Sequence, residues 1–209
     1  MNLKLQVEQL FRSVATSKFD ALEKIPAMQR RRLSPLAKLA LNSAFNALSN
    51  NKVDYIVWAS RFGDEAKTLA ILQDVLQGET PSPTQFSVSV HNAISGLYSI
   101  LRNDHTISTS LSATWPEAVV EAYAFLKTQP CASKALIVYY DAPIPDVYVD
   151  LDTFESFALA GIVSLEQPNI ILNVDKLSVL DPYNNTVEFD AFWEDKSLLQ
   201  SNQGVWERC

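Results

Sequence analysis

With 209 residues, 47% of them apolar, the chain can bury one hydrophobic core, and a single domain over residues 1–209 is expected. Its formal net charge of −7 argues against non-specific nucleic-acid binding. No apolar run reaches the length of a membrane span, and Met1-Asn2-Leu3-Lys4-Leu5-Gln6 has no signal-peptide core. A soluble cytoplasmic protein is therefore expected, with neither nucleic acid nor membrane as partner.

The counts of reactive residue types narrow the chemistry further. Cys131 and Cys209 are far apart and make no metal or redox spacing. With His91 and His105 the only histidines, the chain has no His/Cys metal cluster to assemble. Five glycines exclude a Gly-rich phosphate loop and the dinucleotide fingerprint. No cofactor and no metal are expected.

In chain order, Leu3, Leu5 and Val7 alternate with polar residues and predict a short strand, while Val7–Val14 is compatible with a strand or a helix start. Arg30-Arg31-Arg32 is the one basic cluster. It reads either as a solvated surface or as a site for an acidic partner or an interface ion-pair network, since guanidinium groups bind carboxylate and phosphate bidentately. Ser34-Pro35 then caps a helix whose inner face holds Leu33, Ala37, Ala40, Leu41, Ala44 and Leu48. Asp54–Ser60 predicts a strand. Gly63-Asp64 leads into a helix with Leu69, Leu72 and Leu76 on one face, ended by Gly78. After the rigid turn Pro81-Ser82-Pro83, one helical face is expected through Phe86, Val90, Ile94, Leu97 and Leu101, with His91 as a structural residue on that helix.

Ile107–Ala113 predicts a short buried strand, and Thr114-Trp115-Pro116-Glu117 has the spacing of a capping box with proline in the first turn. Ala118, Val119, Ala122, Tyr123 and Leu126 continue at helical spacing. A strand turning sharply into a helix is where many α/β enzymes hold a nucleophile, because the helix N-terminus offers free N–H groups and partial positive charge. Here the expected turn holds Leu111 between Ser110 and Ser112, and neither cysteine is near it. Lys134–Asp141 reads as a central strand buried on both faces, ended by Pro143 and Pro145. Phe157–Leu165 and Ile170–Val174, joined by Pro168-Asn169, read as a strand pair with an antiparallel connection. Phe189–Leu199 predicts a last helix with Phe192 and Trp193 turned inward. The fold class is α/β, helices alternating with buried strands before an antiparallel end.

Three segments in order carry a family resemblance: Ile25-Pro26-Ala27-Met28-Gln29-Arg30-Arg31-Arg32-Leu33-Ser34, then Pro81-Ser82-Pro83-Thr84-Gln85-Phe86-Ser87-Val88-Ser89-Val90-His91-Asn92-Ala93, then Leu136-Ile137-Val138-Tyr139-Tyr140-Asp141-Ala142-Pro143-Ile144-Pro145. Together, over roughly Ile25 to Leu165, they resemble the β-ketoacyl-synthase-like chain length factors. Within these the chain is similar to the short proteins of aryl polyene (flexirubin-like pigment) biosynthesis. The resemblance implies a thiolase-like fold, a mixed sheet flanked by helices, at the length of one half of the ketosynthase duplication. It places Leu111, within one position, where a ketosynthase has its nucleophilic cysteine. His91 and His105 both precede that junction, so neither matches the second-half catalytic histidines. No catalytic residue is expected.

The resemblance further implies a ketosynthase subunit as heterodimer partner, with an acyl carrier protein reached through the complex. Thr106, Ile107, Ser108, Thr109 and Ser110 are then the expected partner interface. Phe86, Leu97 and Leu111 are the expected lining of an acyl tunnel. Two other readings compete. One is an independent acyltransferase or thioesterase using Ser110, Ser112 or Thr114, against which stands the lack of a following histidine. The other is a scaffold with no influence on chain length.

Overall fold

The computed structural model describes residues 1–148, 154–179 and 182–209. Strand β1 (Asn2–Val14) resolves the ambiguity at the start, being strand throughout, with Leu3, Leu5 and Val7 buried on one side. A short helix α1 (Ala27–Arg30) precedes α2 (Pro35–Leu48), whose first turn is capped by Ser34 Oγ accepting from Ala37 N at 3.0 Å. Strand β2 (Tyr55–Ser60) is buried at every position. Then come α3 (Glu65–Leu76), α4 (Pro83–Ser87) and α5 (Ala93–Arg102). Strand β3 (Ile107–Ser112), helix α6 (Trp115–Thr128) and strand β4 (Lys134–Asp141) follow. Strands β5 (Phe157–Ser164) and β6 (Ile170–Asn173), helix α7 (Pro182–Glu194) and strand β7 (Trp206–Arg208) follow, and two 3-10 turns, Asp20–Lys24 and Val174–Val179, lie between elements.

The strands form one mixed sheet in the order β3-β2-β4-β5-β1-β6-β7. The run β3, β2, β4 is parallel, and β5 lies antiparallel to both β4 and β1. Side chains alternate between two cores, as the pleat requires. Ile56, Trp58, Leu136, Val138 and Tyr140 face α2 and α5, whereas Tyr55, Val57, Ala59, Ala135, Ile137 and Tyr139 face α6 and α7. Helices thus cover both faces, which explains why β2 and β4 read as continuous apolar runs.

Three expectations need correction. First, β5 and β6 do not pair with each other. Both run antiparallel to β1, β5 along Gln6–Val14 and β6 along Asn2–Leu5, so they run in the same direction. A thirteen-residue β1 has room for both, and local sequence gave no sign of so distant a partner. A register shift between Val7 and Gln9 accompanies the changeover, and Gly161 sits opposite: a Cβ there would stand 3.0 Å from Gln9 O. Second, the single helix expected through Phe86 to Leu101 is two helices. The Ser82–Gln85 capping box starts α4, and the hydroxyls of Ser87 and Ser89 bond back to Thr84 O and Phe86 O at its end. His91 therefore lies in the break between helices. Third, the last helix is Pro182–Glu194. It turns Phe189 and Phe192 inward and leaves Trp193 half-buried, while Leu199 lies beyond it and is exposed.

Candidate functional site

The carboxyl ends of the parallel strands β3, β2 and β4 meet at the strand-to-helix elbow, the usual ligand position in an open α/β sheet. Strand β3 pairs with β2 from Ile107↔Tyr55 to Ser112↔Ser60, and Ala113 N donates to Ser60 O at 3.2 Å, extending the ladder. Leu111, opposite Ala59, is therefore inside the strand, half-buried against the α6-side core. The turn itself falls at Ala113-Thr114. This keeps the strand expected over Ile107–Ala113 and corrects two expectations about it: the turn is not at Leu111, and the strand is not buried, since every residue of β3 is exposed or half-buried. Ala113, like Leu111, offers no atom that can be acylated.

The hydroxyls of Ser110, Ser112 and Thr114, the candidate nucleophiles, are each already donated. The Thr114 hydroxyl and N–H both donate to one Glu117 carboxylate oxygen, at 2.8 and 2.7 Å, which fastens the start of α6. The Ser112 hydroxyl donates to Arg61 O at 2.8 Å. Ser95 gives its proton to Asn92 O, so the 3.0 Å contact between Ser95 Oγ and Ser110 Oγ has Ser110 as donor. His91 Nε2 lies 3.1 Å from Ser60 O and so carries the proton there. Its ring packs beneath Gly63, whose φ of +71° and 3.4 Å clearance to His91 Cδ2 both favour glycine. His105 is exposed at the opposite end of β3. None of these hydroxyls is bonded to a histidine among the described residues.

Sequence reasoning missed an ion pair that fills the space beside the elbow. Arg61, just after β2, pairs with Asp141, the last residue of β4. The Asp141 carboxylate is fully buried and also accepts from Tyr139 OH at 3.0 Å and Ala142 N at 3.1 Å. Burial pushes its carboxyl up, and the Arg61 charge pulls it back only in part. The Arg61 guanidinium also lies over the rings of Phe62 and Phe154, at 5.3 and 5.1 Å. The available signal was a carboxylate closing an otherwise apolar strand, which called for a buried cation.

Strand β3 is an edge of the sheet, with β2 on one side only. Since Ala113 N points to β2, strand alternation points the N–H groups of Thr109 and Leu111 there too, and those of Ser108 and Ser110 to the open edge. Thr106, Ile107, Ser108, Thr109 and Ser110 thus stand together along this edge, with Ile107 65% exposed. The start of the edge is held by Asp104, which accepts from Thr106 N and Tyr98 OH, each at 2.9 Å. The proposed tunnel residues are not brought together. Leu97 packs on the α2 side of the sheet, Leu111 on the α6 side, and Phe86 on α4 is 62% exposed. Helix α3 and the α4 region also expose Leu72, Val75, Leu76 and Val90. Arg31 and Arg32 are exposed and Arg30 is half-buried. Cys131 and Cys209 are exposed and unpaired.

A family model described as β-ketoacyl synthase, N-terminal domain, matches residues 5–200. The chain belongs to that family. Among curated proteins none matches. Among solved structures, this β-ketoacyl synthase domain is similar to a chain of the ketosynthase ApeO in complex with its chain length factor ApeC from Xenorhabdus doucetiae. The identity is 27%, over 80% of this chain and 81% of that one, with a TM-score of 0.69. The two matched chains are therefore of nearly equal length. It is also similar to the ishigamide ketosynthase/chain length factor, at 13% identity over 77% of this chain and 55% of that one, TM-score 0.56. A third likeness is to AntDE:AntF, a type II polyketide synthase acyl-carrier protein in complex with its ketosynthase, at 14% identity over 94% and 76%, TM-score 0.57. The latter two show the fold alone. The fold is the thiolase-like fold of ketosynthases, a mixed sheet between helical layers.

Proposed function

We propose that this chain is the non-catalytic, chain-length-factor subunit of a β-ketoacyl-carrier-protein synthase of the aryl polyene type. The observation that carries the reading is the elbow of a ketosynthase domain with alanine at its turn and leucine two residues before it. Claisen condensation needs an activated thiolate and a histidine or equivalent donor at the developing oxyanion. Ala113 and Leu111 supply no nucleophile, and the nearby hydroxyls are spent on Arg61 O, Glu117 and Ser95. The partner ketosynthase contributes the cysteine and histidines, and an acyl carrier protein delivers substrate to the pair in the cytoplasm.

Pairing uses the open edge of β3, Thr106 to Ser110, by strand addition. The exposed apolar side chains of α3 and α4, with Phe86 among them, are covered in the pair and bound the space in which the partner's acyl chain grows. Leu97 and Leu111 act from beneath, by setting the positions of α5 and β3 from opposite faces of the sheet. The similarity to a ketosynthase–chain length factor complex at matching chain length supports this reading.

Reconstitution tests it. The purified chain and the ketosynthase encoded beside it are supplied, singly and together, with starter- and malonyl-loaded carrier protein, and products are read by mass spectrometry. Full-length polyene is expected only from the mixture. It is lost when the partner's cysteine is replaced and kept in Ser112→Ala of this chain. Extension by this chain alone would overturn the proposal.

A further inference from the structure

A cleft of about 520 Å³ lies at the amino ends of β2 and β3, the opposite end of these strands from the elbow. The ends of α2 and α5 and the loops that follow them form its walls. Donors dominate the lining: the Lys52 ammonium, the Arg102 guanidinium, the His105 imidazole and the Asn51 and Asn103 amides. Its one carboxylate, Asp104, already accepts from Thr106 N and Tyr98 OH, each at 2.9 Å. Lys52 and Arg102 are exposed, and neither makes an ion pair with another described residue. Arg102 lies over the Phe45 ring instead, at 5.2 Å. Two permanent cations against one committed carboxylate suit an anion, and a carboxylate most directly, since it accepts from guanidinium, ammonium and amide alike.

The cleft is continuous with the open edge of β3, because Thr106 belongs to both. That edge has a weakness as a template. Ser108-Thr109-Ser110-Leu111-Ser112 presents serine at every second position, so an added strand that slips by two residues meets the same side chain and the same main-chain groups. Main-chain bonding alone therefore leaves the register open, and a charge at one end would close it. We infer that, in the pairing proposed above, on which this inference rests, the cleft receives a carboxylate side chain of the partner ketosynthase, carried just beyond the partner's strand, and that this ion pair sets the register of the two strands. An added strand runs about 4.8 Å from β3, so a side chain one or two residues past Thr106 is within reach of Lys52 and Arg102. A free inorganic anion would meet the charge equally well but would leave the adjoining edge unused.

The test measures the affinity of the two full-length subunits at about 50 and 500 mM salt, where screening is weak and strong. Lys52→Glu is the first variant, since the Lys52 side chain makes no hydrogen bond to another described residue and its loss leaves the fold intact. It should weaken the dissociation constant by about ten-fold or more at low salt and by about three-fold at high salt, as attraction becomes repulsion. Arg102→Gln, an independent variant, should weaken it about three- to ten-fold. Arg31→Glu makes the same charge change outside the cleft and should stay within about two-fold. Disulfide trapping from Ser108→Cys to single cysteines along the partner's strand reads the register. One partner position should cross-link with Lys52 in place, and positions two residues away as well in Lys52→Glu. Wild-type affinity in both cleft variants, an equal loss in Arg31→Glu, or an unchanged cross-linking pattern overturns the inference. Failure of the wild-type subunits to associate at all would instead remove the pairing itself, and native mass distinguishes the two cases.

Discussion

Ser108→Pro separates the edge of β3 from its ladder. Its N–H points away from β2, so proline there removes no hydrogen bond of the sheet, and proline is tolerated on an edge strand in this orientation. The melting temperature should move by no more than about 3 °C, equivalent to roughly 1 kcal/mol in a chain of this size. Association loses more. Strand addition across this edge would lose one main-chain hydrogen bond, worth about 1 kcal/mol, and leave a partner carbonyl unpaired at about 1–3 kcal/mol. The total of about 2–4 kcal/mol weakens the dissociation constant by roughly 30- to 1,000-fold. Thr109→Pro is the mirror control. Its N–H points to β2, so it should cost the fold about 2–4 kcal/mol and melt the chain early. Sedimentation with the ketosynthase reads the affinity, and calorimetry reads the fold. Wild-type affinity in Ser108→Pro, at unchanged stability, would refute the assignment of β3 as the pairing edge.

Other outcomes follow from the same geometry. Glu117→Ala removes the acceptor of both Thr114 bonds and should destabilise the chain by about 1 kcal/mol in urea unfolding. Arg61→Met strands the buried Asp141 carboxylate and should cost about 3–5 kcal/mol, with partial recovery when Asp141→Asn is added. For Asp104, burial raises the pKa, but the Thr106 bonds, the Tyr98 hydroxyl and the Arg102 charge outweigh it and hold the group below 3.8. Its stabilisation is then complete above 3.8 and lost as pH falls through the lower folded value, so the stability gap between wild type and Asp104→Ala should shrink below about pH 4. Incubated with an acyl-thioester donor, the isolated chain should show no acyl adduct in its intact mass; an adduct on Ser110, Ser112 or Thr114 would restore the independent-enzyme reading.

Much of the fold was legible because its signals are local. Ser34-Pro35, Ser82–Gln85 and Thr114–Glu117 announce helix starts through capping chemistry, and Lys134–Asp141 shows two-sided burial by its unbroken apolar run. Three features were not legible, each for a physical reason. The shared pairing of β5 and β6 with β1 depends on contacts about 160 residues apart, which no local window contains. The break at Val88–Asn92 arose because apolar spacing at Phe86, Val90, Ile94 continues smoothly across a turn set by serine hydroxyls. At the site, periodicity identified strand, turn and helix but not which residue stood at the corner. Ile107–Ala113 reads as strand, but its apolar Ile107 and Leu111 gave no sign that it is an edge with no fully buried residue, which depends on the order of strands in the sheet. The Arg61–Asp141 pair joins two strand ends that are eighty residues apart in sequence, so it became visible only with β2 and β4 side by side.

Whether this ketosynthase domain works as the inactive half of a pair is read from its native mass. The chain is expressed alone and then together with the ketosynthase encoded beside it. Co-expression should give a stable one-to-one heterodimer, and the single chain an aggregating or self-associating species. A well-behaved monomer that ignores the ketosynthase would contradict it.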